Sequence, residues 1–168
     1  NMNITDLTGI EYFINLTSLY CPNYQIATLN TSQNISLTWL SCYDNQLTSL
    51  NLNGAIALEG LYAWNNQLAN LDVSQNTSLI SLVCNNNQLT SLNLSQISCA
   101  LQINESDFSE NPNLNCIEVT DLSCWQNNFI EFLDTTYQYY STNCSGISSI
   151  QENTTNKELL KVTDLLGR

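Results

Sequence analysis

A 21-residue repeat runs through most of this chain and leaves little freedom for its fold. Leu19, Leu40, Leu61 and Leu82 are separated by 21 residues each, and the neighbouring apolar positions keep that step. Leu16, Leu37, Leu58 and Leu79 form one column; Cys21, Cys42, Ala63 and Cys84 form a second. Ile26, Leu47, Leu68 and Leu89 follow, then Leu29, Leu50, Leu71 and Leu92, then Thr31, Leu52, Val73 and Leu94. One unit reads LTWLSCYDNQLTSLNLNGAIA: an L-x-x-L-x-C-x-x-N-x-L signature with a second L-x-x-L-x-L nested inside it. A single repeat of this kind cannot bury its own leucines. Stacking copies about 4.8 Å apart brings each column against its neighbours and makes one continuous core.

Residues two apart in L-x-L share a face of a short strand. Two such segments in 21 residues leave no room for a long helix. The predicted fold class is therefore mainly β: a leucine-rich-repeat solenoid with short parallel strands on both broad sides of a flattened coil, and little helix. Asn45, Asn66 and Asn87 fall in the turn after the first strand, where a buried amide can satisfy backbone N–H and C=O groups left unpaired by the turn. They are read as a structural ladder, beside a second amide column of Gln25, Gln46, Gln67 and Gln88.

This pattern resembles the nested-consensus class of bacterial leucine-rich repeats, the IRREKO repeats, common in surface proteins of Bacteroidota. The resemblance covers about residues 4 to 116. Tyr24 stands where the first repeat would carry its ladder Asn, as suits a capping unit. After Leu94, Ile103 keeps the step, but Glu105 falls where a core Cys or Leu belongs. The segment from Asn111 to Ile117 resembles the closing cap of such arrays, so the solenoid is expected to span residues 1–116. A cap over 117–144, with Trp125, Phe129, Phe132, Tyr137, Tyr139 and Tyr140, would cover the apolar end of the coil.

Residues 145–156 are polar and read as a linker. The stretch 157–168, carrying Glu158-Leu-Leu-Lys-Val-Thr-Asp-Leu-Leu-Gly-Arg168, resembles the opening of the C-terminal sorting domain of type IX secretion, in truncated form. With the repeat type, that resemblance implies a secreted or outer-cell-surface protein. The polar opening at Asn1 fits a processed mature chain.

Charge excludes several functions. Fifteen Asp and Glu face three Lys and Arg, and the cations are Lys157, Lys161 and Arg168. A nucleic-acid partner needs cations to displace counterions from phosphates, so none is expected. Anionic membrane surfaces are disfavoured likewise, and no apolar run approaches the length needed to insert. Without His there is no imidazole base, Ser-His or Cys-His nucleophile, or imidazole metal site. No phosphate loop is present. The chain is read as non-catalytic and free of cofactor, save for a weak calcium contact at Glu105, Asp107 and Glu110.

Of seven cysteines, Cys21, Cys42 and Cys84 belong to a core column and are expected to stay free thiols, since stacked side chains lie slightly too far apart for a disulfide. The other four lie in or near the cap, where an exported protein oxidises them. A Cys116–Cys144 disulfide would tie the closing turn to the end of the cap, constraining the unfolded chain by roughly 3–4 kcal/mol. Cys99 with Cys124 is the second expected pair.

The outward positions of the first strands locate a candidate site. They are Ser18, Trp39, Gly60 and Ser81; Tyr20, Ser41, Tyr62 and Val83; Pro22, Tyr43, Trp64 and Asn85. Tyr20, Trp39, Tyr43, Tyr62 and Trp64 therefore share one face and form a ligand-binding candidate for an extracellular protein or glycan, with the absence of nearby charge favouring a neutral ligand. Cross-strand packing of the rings explains the same pattern without a ligand. A second function is structural, a self-associating spacer. A third uses the small polar positions of the second strands, from Thr28, Asn30 and Ser32 to Ser91, Asn93 and Ser95, against ice or an ordered surface.

Overall fold

The computed structural model describes residues 4–98, 105–129 and 139–144. Cys99, Ile103, Phe132, Tyr137, the linker and the tail lie outside them, as do the side chains of Phe129 and Tyr139. A short 3-10 turn, Ile10–Tyr12, precedes the strands β1 (Ser18–Tyr20), β2 (Thr28–Asn30), β3 (Trp39–Ser41), β4 (Ser49–Asn51), β5 (Gly60–Tyr62), β6 (Ser81–Val83), β7 (Leu92–Asn93) and β8 (Cys116–Glu118). A helix α1 (Leu122–Phe129) and a last strand β9 (Tyr139–Ser141) complete the described elements.

The strands pair in parallel at the repeat spacing. Leu19 faces Leu40, Leu40 faces Leu61, and Leu61 faces Leu82, which gives a four-stranded sheet β1-β3-β5-β6. The leucine columns fill the interior: Leu37, Leu40, Leu47, Leu58, Leu61 and Leu68 have no exposed surface. The chain is thus a mainly parallel-β solenoid. The opposite side is less regular, because β2-β4 and β7-β8-β9 form separate sheets. Asn70 to Val73, the corresponding segment of the third repeat, lies in no strand.

Three polar columns hold the turns. Asn66 accepts a hydrogen bond from the Leu47 amide at 2.9 Å and donates to the carbonyls of Cys42, Ala63 and Trp64 at 3.1–3.2 Å. Asn45 and Asn87 repeat this arrangement around Ile26 and Leu68. The residue before each ladder Asn is the corner itself. Asp44, Asn65 and Asn86 have φ of 51–52°, a left-handed conformation that Asn and Asp tolerate best among side-chain-bearing residues. Their side chains link along the surface, Asn65 to Asp44 and Asn86 to Asn65, each at 2.6 Å. A third column lies after the second strand. Asn34 donates to the Ile10 and Phe13 carbonyls, and Asn76 to those of Leu52 and Ala55, with Ala55 and Ile97 at the alternating positions. Asn34 therefore ties the N-terminal turn to the first full repeat.

The period slips after Leu94, and the structure corrects the expected register. Val83 bridges Asp107, and the Cys84 amide donates to the Asp107 carbonyl at 2.9 Å, so the step is 24 residues (107−83). Three added residues place Phe108, fully buried, in the cysteine column in place of Glu105. Asn111, expected in a closing cap, instead extends the ladder: it accepts from the Leu89 amide and donates to the Cys84 carbonyl. The coil also continues through residue 116, where it was expected to end. Ile117 pairs with Leu92, and β9 adds to β8 through Cys116↔Tyr139. Cys116 and Cys144 form a disulfide, with Cα atoms 5.8 Å apart. Buried Trp125 on α1 packs against Tyr140 at the end of this sheet.

The cysteines of the core column and of the helix differ in state. Cys21, Cys42 and Cys84 are buried free thiols, whereas Cys124 is disulfide-bonded.

Candidate aromatic face

The alternation of L-x-L puts the inner leucines of β1, β3, β5 and β6 into the core and their neighbours on the outer face. On that face the structure brings together all five predicted aromatic residues. Their rings form an unbroken chain. Trp39 stacks on Tyr62, with centroids 6.1 Å apart and planes inclined by 15°. Tyr62 meets Trp64 edge to face, also at 6.1 Å. Trp64 stacks almost parallel on Tyr43 at 3.9 Å, and Tyr43 meets Tyr20 edge to face at 6.1 Å. Offset stacks and edge contacts are the arrangements favoured by the ring quadrupole.

Local features hold the rings in place. Trp39 covers Gly60, its direct partner on the next strand, so closely that a β-carbon there would lie 2.1 Å from the indole. Glycine in a strand interior marks such a close approach. The hydroxyls of Tyr20 and Tyr43 are 2.7 Å apart, and that hydrogen bond holds the Tyr43 phenol above its usual ionisation range. Four of the rings are half-buried by their neighbours; Tyr20 is 68% exposed. Pro22, expected on the outer face beside them, is buried instead.

The face is not free of charge, and this corrects the expectation of uncharged surroundings. The three-residue insertion carries Glu105 to the fifth position of the column Ser18, Trp39, Gly60, Ser81. Ser81 donates to the Glu105 carbonyl at 2.6 Å, and its hydroxyl lies 3.2 Å from that of Tyr62, which in turn lies 3.4 Å from the Glu105 carboxylate. Asp44 follows Tyr43 directly at the corner. No Lys or Arg occurs among the described residues. Sequence reasoning missed Glu105 as part of this face, because a strict 21-residue step assigns it to the core.

Asp107 accepts from the Ser109 amide at 2.9 Å. Among the described residues no group of three or more His, Cys, Asp or Glu side chains is disposed to hold a metal ion.

Other surfaces differ in kind. In the second half of each repeat, Asn30, Asn51, Asp72 and Asn93 accept hydrogen bonds from the amides two residues on, at Ser32, Asn53, Ser74 and Ser95. Those side chains close turns. Along one corner, Ile14, Ile35 and Ile56 recur at the repeat spacing and stay 52–57% exposed. This apolar file, which the sequence reading did not single out, begins beside exposed Tyr12 and Phe13. No helix among the described residues is long and apolar enough to cross a membrane.

Neither a family model nor a curated protein matches this chain. Among solved structures, it is similar to the functional domain of InlJ from Listeria monocytogenes, described as including a cysteine ladder. The TM-score is 0.59 at 24% identity, over 83% of this chain and 33% of that one. This chain thus spans about a third of the InlJ domain. That likeness is one of fold, and it places this chain among leucine-rich-repeat solenoids.

Proposed function

We propose that this chain is a non-catalytic recognition module of a secreted or cell-surface protein, engaging an extracellular protein or glycan through its aromatic face. The observation that carries the reading is the continuous chain of five rings from Tyr20 to Trp39 on the outer face of the four-stranded sheet. Ring surface left open on a polar sheet is characteristic of interaction sites, and Trp and Tyr contribute disproportionately to binding. The Cys116–Cys144 disulfide supports an oxidising, extracellular setting.

Tryptophan fluorescence provides the test. Trp39 and Trp64 lie on the face, and the third indole, Trp125, is buried. A partner found by glycan and peptide array screening should change their emission. The Trp39→Ser/Trp64→Ser variant should keep its thermal unfolding profile and bind at least about tenfold more weakly, the loss of a typical hot-spot contact. A partner that binds this variant as well as the parent places the site elsewhere.

The Ile14, Ile35 and Ile56 file favours a second reading, self-association along that corner. Sedimentation of the Ile35→Lys/Ile56→Lys variant tests it: a parent oligomer should dissociate, and an unchanged oligomer removes the corner from the contact.

A further inference from the structure

The charge around the aromatic face identifies the chemistry of its ligand more narrowly. We infer that the face takes a cationic side chain of a protein partner, an arginine in an exposed segment. The inference rests on the aromatic face being the binding surface. It says which ligands suit that surface.

Three observations converge. The first is the rings themselves: their electron-rich faces attract a cation placed within about 6 Å, most strongly at indole. Trp39 is laid over Gly60 and is only half-buried, so part of its ring remains open to a ligand. A planar guanidinium matches a ring face better than a rounded ammonium does.

The second is the Glu105 carboxylate. Among the described residues its hydrogen-bond partner is the Tyr62 hydroxyl, 3.4 Å away, and Ser81 is engaged by the Glu105 carbonyl. The Asp44 carboxylate, by contrast, already accepts an amide at 2.6 Å. Glu105 is thus the carboxylate at this face best placed to accept a donor fork, beside rings able to stack on the same group. Arginine has a part for each contact, its edge for the carboxylate and its plane for the adjoining Tyr62 ring.

The third is charge complementarity over the whole surface. The chain carries a net charge of −12, and all three cations lie in the segment 157–168, outside the described residues. The surrounding field repels anionic partners and concentrates cationic ones, raising their association rate. A neutral sugar can stack on the same rings but draws nothing from this field or from Glu105.

Fluorescence titration of the full chain tests the inference with three capped peptides, Gly-Arg-Gly-Arg-Gly and its citrulline and lysine counterparts. Citrulline keeps the shape of arginine and removes its charge. The arginine peptide should alter the Trp emission, with the citrulline peptide at least about tenfold weaker and the lysine peptide intermediate. Glu105→Gln should weaken the arginine peptide several-fold, with the emission of the free protein unchanged, and high salt should weaken it further. Equal binding of the arginine and citrulline peptides overturns the inference. So does a neutral glycan that binds the face while no peptide does, which leaves the face a binding surface. If partners found by screening bind Trp39→Ser/Trp64→Ser unchanged, the reading of the face falls and the inference with it.

Discussion

The six-membered ring of Trp39 covers Gly60 of the following repeat, in the space where a β-carbon at Gly60 would come within 2.2 Å of two ring atoms. The same indole stacks on Tyr62, two residues further along that strand. A small residue at one position therefore sets the attitude of the first ring in the aromatic chain.

Gly60→Ala should push Trp39 off the sheet and break its stack on Tyr62. The added methyl costs about 1–3 kcal/mol, the range for overpacking, and outweighs the strand preference of Ala. Urea denaturation should show this loss, together with a change in Trp emission. In a Trp39→Ser background the same substitution should cost much less, because the clashing ring is gone. An equal cost in both backgrounds would mean that Gly60 is required for another reason.

Asn66→Ala should be among the most destabilising single substitutions in the coil. It leaves the Leu47 amide and the Cys42, Ala63 and Trp64 carbonyls without the amide that now serves them. A buried group without its partner costs about 1–3 kcal/mol, so a loss of at least about 3 kcal/mol is expected by chemical denaturation. Asn66→Asp should also destabilise, since it removes the donor. Gln67→Ala, on the exposed neighbour, should be nearly neutral.

The buried thiols make stability depend on alkaline pH. Burial pushes the Cys21 thiol up from 9.0 to about 11, and burial likewise raises those of Cys42 and Cys84. Folding favours the protonated form, so the unfolded chain loses protons first as pH rises. This contribution is fully present below about pH 9 and is lost as pH rises from there through the folded value, about 11 for Cys21. Tm should fall across that window, and less so in a Cys21→Ala/Cys42→Ala/Cys84→Ala variant. Near neutral pH the three thiols should react with alkylating reagents only after denaturation. Ready alkylation of the folded protein would contradict their burial.

The tail offers a separable test. If residues 157–168 begin a type IX sorting domain, their deletion should leave Tm unchanged and abolish export from a type IX host. A drop of several degrees would instead make them a structural strand of the coil.

How much of this was legible in the sequence follows from what a repeat encodes. Equal spacing forces equivalent residues to stack, so the leucine columns, the parallel strands, the Asn45, Asn66 and Asn87 ladder and the aromatic face could all be assigned before any coordinates. The free thiols followed as well, since a column in register holds its side chains at the strand spacing. Two further columns were present in the sequence but passed over. Asn23, Asp44, Asn65 and Asn86 recur at the same step and occupy the left-handed corner, and Asn34 and Asn76 alternate with Ala55 and Ile97. Their periodicity was visible; only the backbone geometry explains why an amide or carboxylate belongs there.

Where the period breaks, spacing ceases to identify neighbours. Counting alone cannot say whether Glu105 or Phe108 stacks on Cys84. Tertiary packing decides it: a buried position accepts the apolar ring and rejects the carboxylate. The same slip delivers Glu105 to the edge of the aromatic face and gives that face its charge. Repetition in the sequence determined the coil and the rings upon it. The charge beside them came from the repeat where the period slips, through a contact between Tyr62 and Glu105, 43 residues apart, that exists only once the chain has folded.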